Sequence, residues 1–209
     1  GIQSAGGAGK VLSEWMDTSE PPFDLWDVDI RRMQPFQGNK KYLAERVSET
    51  LGLLYQDHYP YRQYETSRGV RRSPFYYQLK AEGACFGELA GWERPNWYLP
   101  KGAEGKAEYD YSWGRQNWFE YGAQEHKAIR EAVGVYDMTS FGKIRVEGPD
   151  AYDFLQRVCG ANMDVEPGKI VYTQFLNNRG GIEADVTVTR LSETLYLVVC
   201  PAATLHREM

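Results

Sequence analysis

The chain opens with a stretch whose hydrophobic spacing predicts a helix. Apolar side chains recur at the intervals of one helical face within "KVLSEWM". Residues 4–9, which precede it, are small, and they predict a tight turn that leads into the helix. The first segment is therefore expected to be a turn followed by a helix with apolar positions at Val11, Leu12, Trp15 and Met16.

A second amphipathic helix is predicted from Asn39, after a linker that contains Pro21 and Pro22. The stretch "NKKYLAERVSETLGLLYQDHY" places an apolar stripe opposite charged residues. Such a stripe normally packs on the protein core. We therefore expect the side chains of this stripe to be buried: Tyr42, Leu43, Val47 and Leu51.

Short helices and strands follow one another from residue 73 onward. Ser73 is suited to cap a helix that begins at Pro74 and stops at Gly83. The next stretch, "ACFGELAGW", predicts a strand and a turn, and residues 100–116 predict a polar surface loop.

The last third of the chain mixes both hydrophobic periods. "YGAQEHKAIREAVGVYDM" predicts a helix that passes into a buried strand, with Gly134 as the helix cap. Without regular strand–helix–strand spacing, the whole pattern predicts an α+β fold. The remaining predicted elements are a strand over "KIRVEG", a helix over "DAYDFLQRVCG", and strands near "IVYTQFLN", "ADVTVTR" and "LYLVVC".

Composition narrows the function classes. With 209 residues, 42% of them hydrophobic, the chain can bury a core and form one large or two small domains. The net charge of −5 argues against nucleic acid or an anionic membrane as a partner, because no excess of Lys and Arg is present. No apolar run reaches the roughly 20 residues that span a bilayer.

The cysteines and histidines do not predict a metal site. Three of each occur far apart, without the short spacings of metal ligands. Small or apolar residues flank the cysteines, as in "GACFG" and "LVVCP", which favours reduced core thiols over reactive ones. These residues are Cys85, Cys159, Cys200, His58, His126 and His206.

The glycine-rich start matches neither common phosphate-binding motif. A phosphate loop needs Gly at the position of Ser4 and a hydroxyl residue at Val11, and GxGxxG fails at Leu12. Small residues before a helix still let a ligand approach the backbone N–H groups. A plain loop explains the spacing equally well.

A basic turn follows the second predicted helix. Arg68, Arg71 and Arg72 in "YETSRGVRRSP" are suited to hold a carboxylate or phosphate. A solvated loop is the favoured interpretation of these arginines.

Three stretches together resemble one known family of folate domains. "GELAGWERPNWY", "GVYDMTSFGKIRVEGPDAYDFLQ" and "YTQFLNNRGGIEADVTVTR" resemble the front of the aminomethyltransferase (glycine-cleavage T-protein) domain. Such a domain follows a flavin domain in the dimethylglycine and sarcosine dehydrogenases. "GIQSAGGAGKVLSEWM" is similar to the end of that flavin domain.

The resemblance implies a division of this chain into three parts. Residues 1–20 would be the tail of a FAD-binding oxidoreductase domain, and residues 21–78 the central domain. Residues 79–209 would be the truncated front of the folate-binding domain. The chain is accordingly expected to be an internal fragment.

The resemblance also implies two groups of cofactor-binding residues. In the folate part, Asp185 would be the catalytic acid beside the reactive nitrogens of tetrahydrofolate, and Tyr172 would line the same pterin pocket. Gly180 and Gly181 would form the turn before that strand. In the flavin part, five residues would form only one wall of the FAD site, so this chain alone is expected to retain no FAD: Ser4, Gly6, Gly7, Gly9 and Lys10.

Two positions in the last part have competing interpretations. Among β-branched strand residues, Asp185 is expected to be buried and suited to take a proton from an amine. The alternative is an exposed strand residue, with Ala184 and Val186 pointing inward. Arg190 is either a contact for the glutamate tail of folate or, as we favour, an ordinary surface charge.

The implied reaction is oxidative demethylation of a small N-methylated amino acid by FAD, with the one-carbon unit passed to tetrahydrofolate. The motifs do not separate dimethylglycine from sarcosine. The expected partner is the remainder of the parent chain, in the cytoplasm of a bacterium or the mitochondrial matrix of a eukaryote. A non-catalytic relative, the regulatory subunit of pyruvate dehydrogenase phosphatase, remains the alternative.

Overall fold

The computed structural model describes residues 1–209 and divides them into two units, residues 1–34 and 35–209. The first unit contains α1 (Ala5–Thr18) followed by short 3-10 turns. Within this unit, the Arg31 guanidinium lies 5.4 Å from the Trp15 ring centre and pairs with Asp29 at 2.5 Å. The ion pair lowers the pKa of Asp29.

Helix α1 begins five residues earlier than "KVLSEWM" would place it. Gly6, Gly7 and Gly9 lie inside the helix, so the prediction of a turn over residues 4–9 was wrong. Glycine costs a helix about 0.5–1 kcal/mol per residue relative to alanine. Alanines between the glycines and the Lys10–Glu14 pair, four residues apart at 2.6 Å, favour the helix instead.

The second unit contains the helices α2 (Lys40–Leu53) and α3 (Tyr76–Ala81). A hairpin of two antiparallel strands follows them, β1 (Ala84–Leu89) and β2 (Trp92–Tyr98). The two residues that join the strands, Ala90 and Gly91, have positive φ angles, as tight hairpin turns require. The predicted strand and turn over "ACFGELAGW" are therefore confirmed. The α2 N-terminus is capped by Asn39, whose side chain accepts bonds from the N–H groups of Lys41 and Tyr42.

Helix α2 exposes most of the stripe that was expected to be buried. Tyr42 is buried, but Leu43, Val47 and Leu51 are 42–55% exposed, so the prediction for these three was wrong. Arg46 is buried instead. The groups that face Arg46 are the Glu88 carboxylate of the hairpin and the backbone carbonyl of Thr66, and both attract its positive charge.

Arg46 joins α2 to the hairpin through a buried ion pair. Its guanidinium donates to Glu88 at 2.6 Å and to the Thr66 carbonyl at 2.7 Å. It also lies 4.1 Å from the Tyr64 ring centre. Both charged side chains are at most 9% exposed. Each therefore loses its contacts with water and is stabilised by the other instead.

Arg68 makes a second ion pair with the hairpin. It bonds Glu93 at 2.5 Å, and the same carboxylate accepts the Gly69 N–H at 2.6 Å. Arg68 is therefore neither a solvated loop residue nor available to an external anion. Its partner comes from 25 residues later, beyond the reach of a local sequence pattern. Arg71 and Arg72 lie over the rings of Phe36 and Tyr76, each at 4.8 Å.

Glu49 makes the stability of this unit depend on pH. Burial raises its pKa, but hydrogen bonds from Thr66, Glu65 and Arg62 outweigh burial and hold the pKa at about 2. Because the folded pKa lies below the ordinary value of 4.5, the stabilisation is complete above about pH 4.5 and is lost as pH falls toward 2. Urea midpoints between about pH 6 and about pH 2 should therefore fall less steeply in Glu49→Gln than in the wild type. Equal slopes would contradict this assignment.

The segment after α4 (Phe119–Glu131) is not a buried strand. Val133 and Val135 are 85% and 95% exposed, and residues 133–138 pair with no strand. The helix ends before Gly134, with Ala132 at its C-cap, so both predictions for this segment were wrong. The polar loop predicted over residues 100–116 is confirmed.

The last part of the chain forms a four-stranded antiparallel sheet in the order β3-β6-β5-β4. Helix α5 (Ala151–Val158) packs on one face, where Leu155, Val186 and Val198 are almost fully buried. This mixed architecture confirms the α+β prediction. The strands are β3 (Gly142–Glu147), β4 (Ile170–Leu176), β5 (Ile182–Arg190) and β6 (Leu195–Cys200), followed by the short α6 (Leu205–Glu208).

The three cysteines are free and buried, which confirms the prediction of core thiols. Burial raises the pKa of Cys85 and Cys159 to about 11 and that of Cys200 to about 12. None of the helices combines the length and apolar content that a bilayer crossing requires.

Candidate functional site

Strands β4 and β5 bring the two predicted folate residues onto one face of the sheet. In the antiparallel register, Gln174 lies opposite Asp185, and Tyr172 lies opposite Thr187. Because side chains alternate along a strand, all four project from the face opposite α5. The residues between them, such as Val186, point into the core.

Three of these side chains contact one another, and we call Tyr172, Gln174 and Asp185 the sheet-face cluster. The Gln174 amide Nε2 donates to Asp185 Oδ1 at 3.1 Å. A hydrogen bond with Asp185 and its charge raise the pKa of Tyr172, whereas a bond from Gln174 lowers it. The tyrosine is 66% exposed, so the cluster is open to a ligand.

Asp185 is exposed, so the expectation of a buried carboxylate was wrong. Ala184 and Val186 occupy the inward positions on either side of it, as the alternative interpretation proposed. Side chains alternate between the two faces of a strand, and one face of β5 packs on the core, so Asp185 projects from the other face. Exposure leaves the carboxylate within reach of a ligand and beside an aromatic ring and an amide.

A glycine turn sets the start of β5. Gly180 has a φ of +77°, and the Asn177 side chain accepts the N–H groups of Arg179 and Gly181, each at 2.9 Å. The predicted turn over Gly180 and Gly181 is therefore confirmed. Asn177 was missed, although an asparagine just before such a turn is a typical local signal.

Arg190 is held inside the fold and is not a surface charge. Its side chain is 16% exposed and donates to the Val165 carbonyl at 2.7 Å. The guanidinium also lies 3.6 Å from Asp164 and about 6 Å from the ring centres of Tyr152 and Tyr196. These contacts leave it poorly placed for a ligand tail.

The predicted flavin residues lie at the start of α1, with Ser4 at its N-cap and the others inside the helix. The side chain of Ser4 makes no capping bond, and Lys10 is paired with Glu14. A Cβ built on Gly6, Gly7 or Gly9 would meet nothing within 4 Å, so the rest of this unit leaves open space around them. The role of these residues toward FAD therefore stays a prediction: Ser4, Gly6, Gly7, Gly9 and Lys10.

The sheet-face cluster does fit a pterin. A pterin ring presents N–H and amino donors along one edge, which a carboxylate such as that of Asp185 can accept. Its flat face is suited to stack on an exposed tyrosine. No group of three or more His, Cys, Asp and Glu side chains could hold a metal ion.

Two family models match the chain. The model of the GCVT N-terminal domain matches residues 75–209. The model of the FAD dependent oxidoreductase central domain matches residues 19–73.

Curated proteins match along almost the entire chain. The 4-methylaminobutanoate oxidase (formaldehyde-forming) of Paenarthrobacter nicotinovorans is 50% identical over 99% of this chain and 25% of its own length. The mitochondrial pyruvate dehydrogenase phosphatase regulatory subunit of Mus musculus is 35% identical over 96% of this chain and 23% of its own length. Human mitochondrial sarcosine dehydrogenase is 32% identical over 92% of this chain and 23% of its own length. The chain thus spans about a quarter of these relatives.

A solved structure shares the fold of the last part. The glycine cleavage system aminomethyltransferase T from Bartonella henselae matches with a TM-score of 0.50 and 25% identity, over 67% of this chain and 34% of that protein. Its fold agrees with the match to the GCVT N-terminal domain. The chain therefore belongs to the family of proteins with a GCVT N-terminal domain, and here that domain follows a FAD dependent oxidoreductase central domain.

Proposed function

We propose that this chain is the central and folate-binding portion of a FAD-dependent enzyme that demethylates an N-methylated amino acid and passes the one-carbon unit to tetrahydrofolate. The relatives named as oxidase and dehydrogenases support the first half of this proposal. The substrate we propose is a small methylamino acid, because the three named substrates share a methylated amine and a carboxylate. Flavin chemistry belongs to residues outside this chain.

The observation that carries the second half is the sheet-face cluster. Bound tetrahydrofolate supplies the amine nitrogens that accept the one-carbon unit. The Tyr172 ring would stack on the pterin, and Asp185 would accept the proton that an attacking amine releases. The carboxylate of Asp185 is exposed, so a ligand at the sheet surface can reach it. It also accepts a hydrogen bond from Gln174.

Location and partners follow from the same proposal. The remainder of the polypeptide would complete both cofactor sites. A bacterial protein of this kind would act in the cytoplasm, and a eukaryotic one in the mitochondrial matrix, because the similar sarcosine and dimethylglycine dehydrogenases of mammals are mitochondrial proteins.

The test uses the product of the complete open reading frame, given a methylamino acid with and without tetrahydrofolate. We expect substrate to reduce the flavin in both cases. We expect tetrahydrofolate to replace most of the released formaldehyde with 5,10-methylenetetrahydrofolate, because the sheet-face cluster captures the one-carbon unit. The measurement is the ratio of the two products at matched turnover.

Two results would argue against the proposal. If tetrahydrofolate does not change the release of formaldehyde, the protein is an oxidase without folate-dependent transfer. The similar bacterial enzyme is named as a formaldehyde-forming oxidase. Absence of substrate-driven flavin reduction would instead favour a regulatory protein like the phosphatase subunit.

A further inference from the structure

Gln174 occupies the position directly across the sheet from Asp185. In an antiparallel pair, opposite residues have Cβ atoms about 4.5–5.5 Å apart, so their side chains meet without any movement of the backbone. The amide donates to the carboxylate at 3.1 Å, and it lies close enough to the Tyr172 hydroxyl to lower the pKa of that group. One side chain thus contacts both other members of the sheet-face cluster.

This contact is not needed to hold the two strands together. Strand β4 pairs with β5 along its whole length, from Ile170 to Leu176. The side chains on the opposite face of both strands pack in the hydrophobic core. A hydrogen bond between two solvent-facing side chains adds little to stability. Its effect is therefore on the orientation of the Asp185 carboxylate.

The chemistry of the donor matters as well. An amide holds a carboxylate by a neutral hydrogen bond, without the charge that an arginine or lysine would bring. The cations of β3, on the same face, have other partners. Arg145 pairs with Glu147 at 2.8 Å, and Lys143 donates to the carbonyls of Met138 and Thr139.

We propose that Gln174 is a positioning residue for one-carbon transfer, and that it holds the Asp185 carboxylate in the rotation in which it faces the bound pterin. This inference rests on the proposed function of Asp185. Gln174 itself need not touch the reacting atoms. Its removal should lower the rate of transfer rather than the affinity for folate.

The test compares Gln174→Met with the wild type in the product of the complete open reading frame. Methionine has a similar length and volume but no N–H donor. We expect kcat for methylenetetrahydrofolate formation to fall about 3- to 10-fold, with the Kd for tetrahydrofolate unchanged, because one orienting hydrogen bond is lost. The control is Thr189→Val, which removes a hydroxyl from the same sheet face four residues after Asp185. This variant should keep the wild-type kcat.

The double variant Gln174→Met/Asp185→Asn separates positioning from a general structural effect. If Gln174 acts through Asp185, the double variant should transfer as slowly as Asp185→Asn alone, because the group being oriented is already gone. The positioning role would be overturned if the losses of kcat in the two single variants multiply in the double variant. It would also be overturned if Gln174→Met keeps the wild-type kcat while Asp185→Asn is impaired, and neither result would contradict the proposed function. A wild-type kcat in Asp185→Asn would instead overturn the proposed function.

Discussion

Asp185→Asn is expected to reduce one-carbon transfer to tetrahydrofolate by about 10²- to 10⁴-fold, the usual loss when a single general acid or base is removed. Substrate-driven flavin reduction should stay at its wild-type rate, because the proposed function places that chemistry away from Asp185. Formaldehyde should then be released in place of methylenetetrahydrofolate. The measurement is the ratio of these products at matched turnover.

Matched controls test whether the loss comes from the carboxylate. Asparagine keeps the volume of the aspartate, and the site is exposed, so altered packing does not explain a loss. Glu147→Gln removes an exposed strand carboxylate from the same sheet and should leave the ratio unchanged. Tyr172→Phe keeps the stacking surface and should lose only a few-fold, the effect of one hydroxyl bond. A wild-type ratio in Asp185→Asn would restore its interpretation as an ordinary surface residue.

Arg46→Met is expected to lower the free energy of unfolding of the 35–209 unit by about 3–5 kcal/mol. The substitution keeps much of the aliphatic stem but removes the guanidinium that lies over the Tyr64 ring, and it leaves Glu88 buried without its cation. Removing one partner of a buried pair costs far more than removing both, because the remaining charge has no water around it. Urea unfolding followed by tryptophan fluorescence measures the loss.

The matched control is an exposed ion pair of the same unit. Lys101 and Glu82 are 74% and 60% exposed at a separation of 2.7 Å. Lys101→Met should therefore change stability by about 0–1 kcal/mol. Replacing both buried partners, as in Arg46→Met/Glu88→Leu, should recover much of the loss. If Arg46→Met and Lys101→Met lose the same stability, the buried pair does not hold α2 to the hairpin.

The sheet-face cluster was partly predictable from the sequence. The resemblance pointed to Tyr172 and Asp185, and the alternating pattern of "IEADVTVTR" contained the correct orientation of Asp185, between two inward residues. Gln174 was not singled out, because its importance depends on the register between β4 and β5. Register is set by the turn and by the core face of both strands together.

The first half of the second unit was harder to predict. The apolar stripe of α2 has the correct helical period, and the helix forms where the sequence places it. Which side of that helix is covered depends on what lies opposite, and here the hairpin and loop offer Glu88 and the Thr66 carbonyl to Arg46. Periodicity reports that a helix has two faces, but only its neighbours decide which face is buried.

By itself, the sequence determined the elements that rest on local physics: the Asn39-capped helix, the tight turn before β2, the glycine turn before β5, and the alternating strands of the sheet. Caps, positive φ angles and side-chain period all act within a few residues, so they can be read along the chain. The tertiary structure alone decided the contacts between distant residues, including the ion pairs of Arg46 and Arg68 and the meeting of Gln174 with Asp185. These depend on where separate elements come to lie, because a charge or hydrogen bond is satisfied by whichever partner folding brings within reach.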